Sequence, residues 1–208
     1  MGFSVIVVLV MLVCGVLGGR RGPVDPTLNA SAFKVDFTQL TGTTGVGGTA
    51  TFATKFNTPS LVGSGLTMAK FVLQPGGANA PHIHPRGSEA IVVFEGSLRC
   101  CFAEENGGVT RCNDLKPGEM TFFPIGTIHY QQNFGQTTAT YFAVLDSDFP
   151  GTVTVANRFF TLPNEILSAA FNLPPEDISR IREGLPSSPI GAGPGATPAA
   201  TLDEALIA

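Results

Sequence analysis

The sequence predicts an all-β domain, closed or sandwiched, with helices confined to its C-terminal part. Three observations carry this. Gly (25) and Pro (16) are abundant while charged residues make up 13%, a balance that favours turns and short strands over long helices. Between Leu66 and Leu145, β-prone stretches alternate with turn signals at close spacing. Near residue 163 the pattern changes to apolar residues at helical spacing. A chain of 208 residues, 43% hydrophobic, buries one good core and so forms one domain.

Taken in order, residues 1–19 read as a signal peptide. Val5 to Leu17 is an unbroken apolar run, shorter than the ~18–20 residues a membrane span needs. Small residues at Gly15, Gly18 and Gly19 offer cleavage sites; an uncleaved anchor is the alternative, because Arg20-Arg21 follow the run instead of preceding it. The expectation is a secreted, soluble protein with no membrane attachment after cleavage. Asn29-Ala30-Ser31 is an N-glycosylation sequon, which fits export. Residues 20–60 form an N-terminal extension in which Ala32–Phe37 alternates as a strand and Thr41–Thr49 reads as irregular.

Residues 61–162 are expected to form the β-barrel core. Leu66–Leu73, the His82/His84 stretch, Glu89–Phe94, Ser97–Phe102, Val109–Leu115, Met120–Phe123, Ile128–Asn133 and Thr138–Leu145 are its strands. Asn106-Gly107 marks a hairpin turn that sets Cys100 roughly opposite Cys112 and predicts a Cys100–Cys112 disulfide, with Cys101 as a buried thiol. Three packed, unbridged cysteines remain the alternative. Residues 163–185 carry two short helices, Asn164–Phe171 and Glu176–Gly184, and the Pro/Gly/Ala-rich residues 186–208 read as a flexible tail.

The net charge is −4 with no basic cluster beyond Arg20-Arg21, so nucleic acid is not an expected partner. The chemistry concentrates in the chain's three histidines. His82 and His84 are two apart, so on a strand both rings leave one face, and Glu89 follows a Pro85-Arg86-Gly87-Ser88 turn that returns its carboxylate beside them. His129 lies in a second Gly/Pro-framed stretch, Phe123–His129. A lone histidine on a strand is more often a hydrogen-bonded core residue, but all of them in two such frames point to a metal cage. Imidazole plus carboxylate with positions left for water suits Mn²⁺ or Fe²⁺ better than structural zinc. Gln131 leaves the strand on the same side as His129, as a supporting partner or simply a hydrogen-bonded barrel residue, and Asn133 is turn chemistry. By pattern Phe71, Ile91, Phe94, Phe122 and Phe142 line the barrel and restrict it to small substrates.

The two stretches read Gly76-x5-His82-x-His84-x4-Glu89-x6-Gly96 and Gly118-x5-Pro124-x-Gly126-x2-His129-x3-Asn133. Both match the paired cupin motifs. With the leader and C-terminal helices, the stretch from Leu66 to Leu185 resembles the germin-like proteins and the spherulins. The resemblance implies a single cupin β-barrel, or jelly roll, followed by a short helical pair. It implies manganese held by His82, His84, Glu89 and His129, and an extracellular home in apoplast or cell wall. It further implies a homo-oligomer built from dimers, up to a hexamer, and a small anionic or oxygen-species substrate. Family activities are superoxide dismutase and oxalate oxidase. The chain lacks the family's N-terminal cysteine pair. Of the two asparagines that seat oxalate in that family, Asn79 matches one and the other falls at Ala69, which favours superoxide dismutation. Two alternatives stand beside this: a non-catalytic structural or storage protein with a structural metal, and an Fe²⁺ dioxygenase for a larger organic substrate.

Overall fold

The computed structural model describes residues 25–192; the leader over 1–19 and most of the expected tail, 193–208, lie outside them. Two antiparallel sheets face each other. One runs in the order β1 (Gly42–Gly45), β2 (Gly48–Ala53), β3 (Thr67–Leu73), β10 (Ala139–Leu145), β5 (Glu89–Glu95), β8 (Met120–Phe123). The other runs β11 (Val153–Thr154), β4 (Gly77–Ile83), β9 (Ile128–Gln132), β6 (Leu98–Ala103), β7 (Thr110–Leu115), and β12 (Ile190–Ala192) pairs with the first half of β4. The result is a jelly-roll barrel followed by helices, as the sequence predicts.

Strand alternation decides what fills it. In β3, Thr67, Ala69, Phe71 and Leu73 face inward. In β5 the phase that buries Glu89 also buries Ile91 and Val93 and turns Phe94 out, 65% exposed. Phe122 and Phe142 are out of phase with the core in the same way: Phe123 and Tyr141, their neighbours, face inward instead. Of the five expected lining residues, then, Phe71 and Ile91 line the core, while Phe94, Phe122 and Phe142 lie on the outer face. Tyr141 stacks on Phe71 with ring centroids 4.6 Å apart.

The disulfide is Cys101–Cys112, not Cys100–Cys112. Asn106 and Gly107 are the two central residues of the turn, closed by Gly108 N–H to Glu105 O at 2.8 Å, with Gly107 at φ 91°. A turn centred between two residues pairs Cys101 with Cys112 and leaves Cys100 opposite Asn113, facing the core as a free thiol.

Three other expectations change. Ala32–Phe37 is not a strand: Ala30–Phe33 forms a 3₁₀ turn because the Asn29 side chain accepts from Ser31 N–H at 3.1 Å, a local bond that competes with sheet pairing. Thr41–Thr49 is the β1–β2 hairpin, so the barrel begins at Gly42 and not at 61. The tail is not uniformly flexible, since Ile190 is buried in the core and β4 offers β12 an open ladder to pair with. The helices are α1 (Val155–Phe159), which the sequence did not signal, α2 (Asn164–Phe171) and α3 (Pro175–Gly184). The last two are where expected and bury Leu167 and Ile178 with Phe160 in a small second core. Among the described residues no helix is long and apolar enough to cross a membrane.

Candidate metal centre

The site begins with an irregularity in β4. Asn79 pairs with Gln131 and His82 with His129, three steps on one strand against two on the other. The extra residue falls at Ala80-Pro81, where a proline with no N–H costs the ladder nothing. Without that bulge Asn79 and His82 would face opposite sides; with it both are buried facing the core. His84 follows on the same side, and the turn through Gly87 brings Glu89 in at the start of β5. Gly126, at φ 80°, starts the approach to β9 and donates its N–H to His84 O at 3.2 Å, tying the second motif to the first.

His82, His84, Glu89 and His129 are all buried and present one donor atom each within 4.8 Å of one another. The backbone orients every ring. His82 Nδ1 lies 2.8 Å from Ala80 O, His84 Nδ1 2.6 Å from Gly151 O, and His129 Nδ1 2.9 Å from Thr127 O. A carbonyl only accepts, so each Nδ1 carries the proton and each Nε2 presents a lone pair to the centre. There His129 Nε2 lies 2.9 Å, and His84 Nε2 3.5 Å, from Glu89 Oε2. Lone pairs that close need a cation between them, either a proton or a metal ion, and the donor set fits a divalent ion with imidazole and carboxylate ligands. His82, His84, Glu89 and His129 would hold it.

The electrostatics agree. Burial, reinforced by the His129 imidazole, pushes His82 down to about 3, so it is a neutral ligand. For Glu89 burial alone would raise the pKa; with no ion bound, protons on His129 Nε2 and His84 Nε2 hydrogen-bond the carboxylate, outweigh burial and hold the carboxyl at about 2. For His84 burial acts downward, but the Glu89 carboxylate beside it wins and raises it.

Behind the ligands is a polar group the sequence only half revealed. Gln131 shares the inward face of His129, yet its Oε1 accepts from Asn79 Nδ2 at 2.9 Å and Tyr141 O–H at 3.3 Å, not from a ligand imidazole. Its Nε2 is buried without a partner. Tyr141, the third member, sits in the mostly apolar β10 and is set by its phase opposite Phe71 in β3. Asn133 makes turn bonds, as expected, donating to Thr137 O and accepting from Gly135 N–H, and it also donates to Leu73 O at the end of β3, a long-range bond the sequence did not signal. Asn29 is exposed on the surface, remote in role from the site.

A cavity of ≈ 50 Å³ opens onto the ligands, walled by Ala50, Phe52, Ala69, Phe71, Asn79 and Ile190 among others. A second space of ≈ 180 Å³ reaches His84 from the side of Phe56 and Phe149, and shares Phe52, Leu145 and Thr152 with the first.

Residues 37–179 match the cupin family. Over 157 residues the chain is 38% identical to germin-like protein 1-3 of Oryza sativa subsp. japonica, a match covering 70% of this chain and 68% of that protein. The chain is a germin-like cupin. This cupin is also 42% identical over 121 residues to germin-like protein subfamily 1 member 7 of Arabidopsis thaliana, covering 55% of this chain and 53% of that one. The matches span about half to two thirds of the length of such relatives. Among solved structures, an oxalate oxidase in complex with the substrate analogue glycolate superposes with a TM-score of 0.70 at 25% identity, over 78% of this cupin and 84% of that chain.

Proposed function

We propose that this germin-like cupin holds manganese, with iron as the alternative, at His82, His84, Glu89 and His129, and that it acts as a small-substrate oxidoreductase, on superoxide before oxalate. The observation that carries this is the convergence of three Nε2 lone pairs and one carboxylate, with every Nδ1 proton already committed to a backbone carbonyl. A bound ion of this kind supplies a one-electron redox couple. The protein's residues do the rest. Three neutral imidazoles and a single carboxylate leave a dication's charge only partly balanced, which draws small anions inward. The ≈ 50 Å³ cavity accommodates an oxygen species or the smallest carboxylates. Asn79 is the one amide on its wall, and Ala69, fully buried on the same wall, has none to add. An oxalate site needing two amides would forgo about 1–3 kcal/mol, which orders the two activities. The same cavity size weighs against a dioxygenase for a larger organic substrate.

The Cys101–Cys112 bridge supports an oxidising, extracellular setting, and with it export and glycosylation at Asn29. Val92, Phe94, Met120 and Phe122 stand exposed on the outer face of β5 and β8, with Val92 directly opposite Met120. An apolar sheet face of this kind supports pairing with a second copy, as in a dimer-based homo-oligomer up to a hexamer. A net charge of −4 gives no electrostatic support for nucleic acid as a partner.

The test is superoxide dismutation and oxygen-dependent oxalate consumption by protein loaded with Mn²⁺ or Fe²⁺, with elemental analysis of each preparation. His82→Ala is expected to abolish metal uptake and activity together. Fully loaded wild-type protein without either activity would overturn the catalytic reading in favour of a structural metal.

A further inference from the structure

We infer that β12 is the lid of the metal cavity and that Ile190 on it sets the size of ligand the cavity takes; this rests on the metal reading above. β12 fills the seam between the two sheets. On one side it pairs with β4 through Ile190–Asn79, Gly191–Ala78 and Ala192–Gly77, preceded by Ala80 N–H donating to Pro189 O at 2.8 Å. On the other side it lies against the β1–β2 hairpin, where Gly47 N–H reaches Ile190 O at 3.4 Å. That approach tolerates no side chain. A Cβ on Gly45 would stand 1.9 Å from Ile190 O, and one on Gly47 would stand 1.7 Å from Gly191 O. The glycines that made Thr41–Thr49 look irregular are what let the strand seat.

Once seated, β12 puts Pro189 and Ile190 on the cavity wall. Ile190 is 1% exposed and lies directly opposite Asn79, so the bulk that limits the cavity adjoins the amide available to orient a ligand. The strand is three residues long, paired with β4 by its ladder bonds and anchored by the buried Ile190 side chain. Such an element can leave by local opening while the sheets behind it persist. Opening it uncovers the ligands from the side of β2 and β4.

The experiment uses full-length protein loaded with Mn²⁺, metal content measured first. It follows the rate of metal loss to EDTA and the equilibrium binding of oxalate, malonate and succinate by calorimetry. Gly47→Ala, which touches no cavity-lining side chain, is expected to dislodge β12 and speed metal loss about tenfold or more. Ile190→Ala is expected to bind malonate and succinate where the wild type takes only oxalate. Ile190→Val, a milder change, is expected to give a smaller shift the same way and serves if Ile190→Ala does not fold. Wild-type protein that takes up no metal would sink the metal reading itself. Metal-loaded, folded variants with wild-type loss rates and an unchanged acid-length profile would overturn the lid inference and assign access to the Phe56 and Phe149 side.

Discussion

Acidifying the metal-free protein probes the ligand cluster directly. His82 has its pKa lowered from 6.5 to about 3 in the fold. Between those values the unfolded chain holds a proton on this ring that the folded chain refuses, so stability falls as pH drops below 6.5 and the loss is complete near 3. The slope is about 1.4 kcal/mol per pH unit, and the whole window is worth on the order of 5 kcal/mol. Glu89, lowered from 4.5 to about 2, acts in the same direction lower down: its contribution is present above 4.5 and fades as pH falls through 2. His84 is raised, so its contribution is full below 6.5 and is lost as pH climbs through its folded value. The site's contribution therefore peaks near pH 6.5, with a steep acid limb. Since a domain's total stability is about 5–15 kcal/mol, the acid limb alone can bring the metal-free protein close to unfolding. Urea denaturation at half-unit pH steps, with and without Mn²⁺, measures it. A flat profile between pH 6 and 4 in the metal-free wild type, or an undiminished acid limb in His82→Ala, would refute the reasoning. Saturating metal at a hundredfold over its Kd should add about 2.7 kcal/mol.

Replacing Cys101 or Cys112 by Ser opens a loop spanning a sequence separation of 11 and should cost about 3 kcal/mol in denaturant titrations. Cys100, whose thiol burial pushes far up, should resist thiol reagents until the protein unfolds. Gln131→Leu strands two donors, Asn79 Nδ2 and Tyr141 O–H, while removing one unpartnered amide nitrogen. A net loss of about 1–3 kcal/mol is expected from thermal melts, against near-neutrality if the network were idle. Phe122→Asp places a charge on the exposed outer face of β8 and should reduce self-association in sedimentation velocity without lowering the melting temperature. An unchanged sedimentation profile would exclude that face from the interface.

The ligand set was legible because it depends on residue identity and short-range spacing, both visible in Pro81–Glu89 and Phe123–His129. Phase was legible in principle: Glu89 facing inward already requires Phe94, five residues on, to face outward. The turn at Asn106-Gly107 likewise selects Cys101 once it is centred between its two middle residues. What could not be read locally was decided by distant partners. The β1–β2 hairpin and β12 have Gly-rich sequences of low strand propensity, and they are strands because each completes the other's packing across a seam. The Ala80-Pro81 bulge shows only in the register of β4 against β9. The three carbonyls that fix the imidazole tautomers belong to backbone atoms no motif records.

The position of β12 in the chain has a consequence for how the metal arrives. During synthesis every ligand from His82 to His129 leaves the ribosome before Ile190, and so does every strand of the sheets that hold them. The ligand-bearing half can therefore assemble while one flank is still open to solvent, and an ion captured then would be walled in when β12 docks. Retention afterwards is a matter of rate, governed by how often that strand peels away. Intrinsic affinity does not favour manganese among the divalent ions. On the metal reading proposed above, the ion carried by the finished protein would accordingly be chosen by the compartment in which the nascent chain folds.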